Sequence, residues 1–358
     1  GAVVVACGLL GFRGPTAAWR HSSIGVGRAD EFSGVSANRL RDQVNFWRRT
    51  LVWERDGVES CIALTADKAL SFLVNGKNDG NARTDAGTSV MSGLVGAALH
   101  PNPTTAFVIG LGTGSTAGWL GAVESMQRVD VAELEPAVFE VARASAAVNH
   151  DMLHNPKVRV AMGDARELLG VTRQRYDIIL SEPSNPYRAG IASLFTREFY
   201  QAVARKLSRR GLFLQWVQAY EIDPADIENA CATLVSVFPV VEAWHMQAGD
   251  LLFVCALDRI EYDMGRLRQR LSQEPFRTAL ANVWRATDLE GFLAHFLSAN
   301  EFAQQIARSP GRVLNTDDRT VMEFNCGRSI GRRIPLDARE WLARSASRNL
   351  DRPPLSNG

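Results

Sequence analysis

A continuous apolar run, Thr105-Ala-Phe-Val-Ile, leads straight into Gly110-Leu-Gly-Thr-Gly and then into a helical pattern. A strand with no polar alternation is buried on both faces, which requires a parallel sheet covered by helices on each side. Val129-Asp-Val-Ala-Glu, Val158-Arg-Val-Ala, Tyr176-Asp-Ile-Ile-Leu and Leu212-Phe-Leu-Gln-Trp-Val read as further strands. Helical patterns separate them. One has Pro136 in its first turn and Val138, Val141, Ala142 and Ser145 on one face. Another begins near Thr196, carries Phe199, Val203 and Leu207, and is expected to stop at Gly211. Asp223-Pro224 opens a third, with Ile227, Ala230, Cys231, Leu234, Val235 and Phe238 at helical spacing. Val240–Trp244 and Leu251–Cys255, around a Gly249-Asp250 turn, read as a closing hairpin. This βαβα order predicts a doubly wound α/β sheet.

Ahead of it, Thr50–Arg55, Ser60–Thr65 and Ala69–Val74 read as a small antiparallel meander. Asp56-Gly57 and Ala66-Asp67-Lys68 punctuate these strands, and Asn75-Gly76 closes the third. Lys77 to Ser89 reads as a loop. Gly1–Phe12 is apolar but shorter than the ~18 residues of a membrane span. It lacks an initiating Met and a basic flank, and fits either the end of a membrane helix that starts ahead of residue 1 or a buried segment. The expected organisation is a connecting segment over 1–42, a small β domain over 43–88, a nucleoside-binding catalytic domain over 89–257, and a helical extension over 258–358 with an Asn315-Thr-Asp-Asp loop.

Composition narrows the function classes. Forty Lys and Arg stand against 39 Asp and Glu, a formal charge of +1, so no long-range field recruits nucleic acid. The five cysteines lie far apart without a C-x-x-C pair, which points to a reducing compartment. The expected location is cytoplasmic, at the membrane's cytoplasmic face if a span precedes residue 1. His150 and His154 are four apart but lack the Glu of a zinc-binding helix, so no metal is expected.

The candidate site lies at the carboxyl ends of the strands. Gly110, Gly112 and Gly114 let the backbone turn tightly beneath a ligand. Glu133 ends the next strand 23 residues after Gly110, where a carboxylate accepts from ribose hydroxyls. Asp164-Ala165 follows the third strand, where an acid can accept from the adenine amine. Ser115 replaces the third glycine of a dinucleotide fingerprint, and nothing basic marks a pyrophosphate. That favours S-adenosylmethionine or a relative over NAD. Glu182, in Ser181-Glu-Pro-Ser-Asn-Pro, falls in the crevice where open sheets bind ligands. Gln215, Gln218 and Tyr220 follow the fifth strand as candidates for an acceptor pocket.

In their order, G-L-G-T-G, V-A-E-L-E, G-D-A, D-I-I-L-S-E-P-S-N-P and S-L-F-T-R-E-F-Y resemble spermidine synthase. They look closest to the soluble part of bacterial membrane-fused spermidine synthase-like proteins. The resemblance spans roughly residues 43–256, with Asn315–Arg319 also similar. It implies a small N-terminal antiparallel β domain on a Rossmann-like class I methyltransferase fold. It further implies that Gly110, Gly112, Thr113 and Gly114 line the nucleoside site, that Glu133 with Leu134 meets the ribose, and that Asp164 with Ala165 meets the adenine. Glu182 falls where the family has the Asp that deprotonates the attacking amine. Thr113 replaces the family's Asp that holds the aminopropyl ammonium, Asn185 replaces a second Asp, and Thr88-Ser89 stand where it has Tyr-Gln. Asp79, Asp85, Asp317 and Asp318 are the candidate replacements.

The resemblance implies transfer of an aminopropyl group from decarboxylated S-adenosylmethionine to a putrescine-like amine, by an enzyme that uses no metal and can pair as a homodimer. Thr113 leaves open a methyltransferase using intact S-adenosylmethionine. A third expectation is a nucleoside-binding domain of a membrane protein, without turnover.

Overall fold

A computed structural model of the chain describes residues 1–5, 20–22, 32–67, 69–247, 249–330 and 338–356. The apolar stretch beyond Val5, much of the expected connecting segment, and Lys68 lie outside them. Among the described residues, no helix is long and apolar enough to cross a membrane.

The first sheet has four antiparallel strands in sequential order: β1 (Leu51–Asp56), β2 (Cys61–Ala66), β3 (Leu70–Val74) and β4 (Lys77–Asn81). The fourth corrects the expected Lys77–Ser89 loop. Asn75 and Gly76 both take positive φ (51° and 83°), the two-residue turn that matches strand twist, so the chain must return as a hairpin. The polar run Lys-Asn-Asp-Gly-Asn then pairs with β3 despite its low strand propensity. The rest of the supposed loop holds the short helix Ala86–Ser89. A further helix, Ala37–Thr50, precedes β1 where the sequence suggested a connection up to residue 42. Ser36 caps it, and none of its residues is buried, so it carries no core-facing stripe to read.

The second sheet holds β5 (Thr105–Ile109), β6 (Arg128–Glu133), β7 (Val158–Met162), β8 (Tyr176–Ser181), β9 (Leu207–Gln218), β10 (Val240–Gln247) and β11 (Asp250–Ala256). Its order is β10-β11-β9-β8-β5-β6-β7, with the short strand Phe296–Ser298 beyond β10. β5 to β9 pair in parallel, while β11 pairs antiparallel with both β9 and β10. The helix after Thr196 ends at Lys206, not Gly211: Leu207 already pairs with Tyr176 in the sheet. Asp250 is likewise a strand residue opposite Gln218, not part of a turn.

The order reverses at β5, whose partners are β6 on one side and β8 on the other. The crevice at that reversal is where open sheets of this kind hold ligands. One face of the sheet, with Ile178, Leu180, Leu214 and Leu252, is covered by the wholly buried helix Met91–Leu99 and by β3 side chains such as Phe72. The opposite face packs Ile179, Phe213 and Phe253 against the helices Arg197–Lys206 and Pro224–Val235.

Candidate active site at the reversal of strand order

β5 ends at Ile109, whose carbonyl accepts from the Glu182 N–H at 3.1 Å. The glycine turn and the segment after β8 therefore abut. Gly110 has φ 95°, and a Cβ there would lie 2.8 Å from the Glu182 carbonyl oxygen, so only glycine permits this approach.

The glycine turn is tied down by Glu133. Its carboxylate accepts from the Leu111 N–H and the Glu135 N–H, each at 2.8 Å. Burial pushes its pKa up, while these backbone donors pull it down. A carboxylate has about four acceptor sites, so these two bonds leave acceptor capacity for a ligand's donors. Leu134 beside it is half-exposed at the rim. The Thr113 hydroxyl pairs with that of Ser115 at 2.9 Å, and Asn149 Nδ2 donates to the Thr113 carbonyl at 2.8 Å. Asp164 is exposed and caps the helix Ala165–Val171 by accepting from the Arg166 N–H at 2.7 Å.

Glu135, the second acid of the V-A-E-L-E run, serves structure. It is buried and accepts from the N–H groups of Glu59, Ser60 and Ala137, joining the β1–β2 turn to the segment after β6.

Glu182 points inward beneath the rim. Its Oε2 is 2.6 Å from Thr116 Oγ1, and its Oε1 is buried without a hydrogen-bond partner among the described residues. Burial raises its pKa to about 7, opposed by the Thr116 and Ser92 hydroxyls and reinforced by the Asp250 carboxyl. Asp250 is buried in turn and is raised to about 6 by desolvation, despite the Thr88 hydroxyl that donates to it at 2.5 Å. Two carboxyls near neutrality in one crevice form an arrangement typical of sites that handle protons or cations.

Asp79, Asp85 and Tyr220 border the same place. Asp79 accepts from Ser184 at 2.6 Å and pairs with Lys77 and Arg188, each at 3.2 Å. Asp85 accepts from the Asn81 N–H at 2.7 Å and lies near Asp250. Lys77 Nζ stands 5.7 Å from the Tyr220 ring centroid. The Gln218 amide donates to the Tyr220 carbonyl at 2.9 Å. Gln215 lies alongside Ser181, and Asn185 is buried with neither amide atom bonded among the described residues. Asp317 lies apart from these acids. It holds Arg166 through two contacts of 2.7 and 2.9 Å and accepts from Thr196, next to the Asp164 turn.

Sequence reasoning missed Asp250 and Thr116. The available signal for Asp250 was a carboxylate heading a strand whose other six residues are all apolar. Among the described residues, no group of three or more His, Cys, Asp or Glu side chains is placed to hold a metal ion.

Residues 87–247, which contain the glycine turn, Glu133, Asp164 and Glu182, match the family described as the spermine/spermidine synthase domain. Through these residues, this part of the chain is similar to the spermidine synthase family. A polyamine aminopropyltransferase of Alkaliphilus metalliredigens is 29% identical over 152 residues, covering 42% of this chain and 53% of the relative. One from Nitrosomonas europaea is 32% identical over 149 residues, covering 41% and 46%. The chain thus spans about half the length of these relatives. Among solved structures, spermidine synthase from Thermotoga maritima aligns with a TM-score of 0.56 at 19% identity, over 72% of this chain and 87% of the other. A spermidine synthase bound to the transition-state analogue AdoDATO aligns with a TM-score of 0.55 at 18% identity, over 72% and 87%. The fold is the Rossmann-like class I methyltransferase type, preceded by an antiparallel sheet.

Proposed function

We propose that this protein transfers an aminopropyl group from decarboxylated S-adenosylmethionine to a small amine. The observation that carries the reading is Glu182: a carboxyl titrating near neutrality, inside the crevice and in backbone contact with the glycine turn. The relatives' activity as polyamine aminopropyltransferases supports it.

The donor's sulfonium carries its own activation. The amine nitrogen attacks the propyl carbon next to sulfur, the C–S bond breaks, and its electron pair stays on sulfur as a neutral thioether. The proton lost by the nitrogen passes to Glu182. An alkylamine with a pKa near 10.4 is protonated at pH 7, and freeing it costs roughly 4.6 kcal/mol. A base whose own pKa lies near 7 takes that proton more readily than an ordinary carboxylate. Gly110, Gly112, Thr113, Gly114, Glu133, Leu134, Asp164 and Ala165 would hold the nucleoside, leaving Asp79, Asp85 and Tyr220 around the amine.

Thr113 supports one second reading. With a hydroxyl in place of a carboxylate, the glycine turn does not repel the carboxylate of intact S-adenosylmethionine, which would make the transferred group a methyl. Incubation with each donor and a panel of amines, followed by mass spectrometry, separates the two. An aminopropyl adduct supports the first reading, and a methyl adduct replaces it with the second.

A further inference from the structure

The crevice beside Glu182 has more acid than its own cations neutralise. Asp79, Asp85, Glu182 and Asp250 gather there against Lys77 and Arg188, and both of those cations reach Asp79. Asp250 and Glu182 lie on the same sheet face. Asp250 is opposite Gln218 and Leu252 opposite Trp216, on the side that carries Leu180 and Leu214 and meets the helix Met91–Leu99. The short helix Ala86–Ser89 ahead of it holds Asp250, and the helix Ser115–Ala122 holds Glu182. Thr88 donates to Asp250, Ser92 donates to the Thr88 carbonyl at 2.8 Å, and Thr116 bridges Glu182 to the Ser89 carbonyl.

Unsatisfied buried atoms on this face are mostly acceptors. Glu182 Oε1, Asp250 Oδ1 and Gln218 Oε1 have no hydrogen-bond partner among the described residues, against two donors, Trp216 Nε1 and Trp244 Nε1. Buried polar atoms of a folded protein are almost always paired, so such a set marks the place of a ligand or solvent. A primary ammonium, with three N–H donors and a positive charge, suits a surplus of buried acceptors and acids.

We propose that Asp250 is the second acidic anchor of the acceptor site: it holds the ammonium of the acceptor that does not react, while Glu182 faces the amine that does. This rests on the aminopropyl-transfer reading and narrows its acceptor to a primary diamine. Asp250 comes from the antiparallel strand β11 and would supply the charge missing at Asn185. It binds without taking part in bond making, so its effect falls on affinity.

Calorimetry with 1,4-diaminobutane and butylamine, in the presence of 5′-methylthioadenosine, tests the assignment. The wild-type protein is expected to bind the diamine at least tenfold more tightly than the monoamine. Asp250→Asn should remove that preference, leaving affinities for butylamine and methylthioadenosine within twofold. Thr88→Val, which frees the Asp250 side chain without removing it, should weaken the diamine several-fold and serves if Asp250→Asn fails to fold. A wild-type protein with no preference for the diamine, or an Asp250→Asn protein that keeps it, overturns the proposal. Failure of the transfer reading looks different: the diamine binds in an Asp250-dependent way, yet receives no aminopropyl group.

Discussion

Thr116 Oγ1 lies 2.6 Å from Glu182 Oε2 and equally 2.6 Å from the Ser89 carbonyl oxygen. A hydroxyl has one proton, and a carbonyl can only accept. When that proton points to Ser89, the contact with Glu182 needs a hydrogen supplied by the carboxyl itself. The geometry suits a Glu182 that is neutral in the empty site and loses its proton when cations arrive. With a pKa of about 7, it also gives up that proton within the physiological range.

Activity should therefore rise with pH. Below about 7 the base is occupied by its own proton, and kcat/KM is expected to climb through an inflection near 7 as Glu182 ionises. A pH–rate profile checks this. Glu182→Gln, which cannot accept the proton, should lower kcat by ~10²–10⁴-fold and abolish the inflection.

The same substitution should stabilise the fold above neutrality. Folded Glu182 keeps its proton to about pH 7, against an ordinary value of 4.5, so the folded state binds more protons than the unfolded chain between those limits. Stability then falls as pH rises from about 4.5 to 7, by on the order of 2–3 kcal/mol. Glutamine has no charge to desolvate, and its amide can donate to Thr116. Glu182→Gln should raise Tm at pH 8 and change it little at pH 4.5, as read by thermal denaturation.

Glu135 offers a contrast. Glu135→Ala strands the N–H groups of Glu59, Ser60 and Ala137. The buried Ala137 N–H left unpaired costs ~1–3 kcal/mol, and the part-buried N–H groups of Glu59 and Ser60, which water can reach, add less. Chemical denaturation should show a lower midpoint, while kcat of the protein that remains folded changes less than threefold.

The large sheet was largely legible because β5 and the Ile178–Leu180 centre of β8 are apolar runs whose burial the residues themselves impose. β4 was not, since Lys77–Asn81 is polar and is a strand only because the Asn75-Gly76 turn sends it back along β3. Phe296–Ser298 was too short to show a period. Around the candidate site, the positions of Glu133 and Glu182 at strand ends were legible. Asp250 was hidden because Gly249-Asp250 looks like a turn, and only pairing with Gln218 makes it a strand residue facing Thr88.

Donor choice should turn on position 113. Thr113→Asp would put a carboxylate in the glycine turn, where it attracts the ammonium of the decarboxylated donor and opposes the carboxylate of the intact one. The ratio of kcat/KM for the two donors should shift at least tenfold toward the decarboxylated form, given that like-charge juxtaposition costs several kcal/mol.

The most direct test is the product formed from 1,4-diaminobutane when each donor is supplied separately. Mass spectrometry should find the diamine carrying one aminopropyl group, together with methylthioadenosine, with decarboxylated S-adenosylmethionine alone. A methylated product from intact S-adenosylmethionine, or no product from either donor, would contradict aminopropyl transfer.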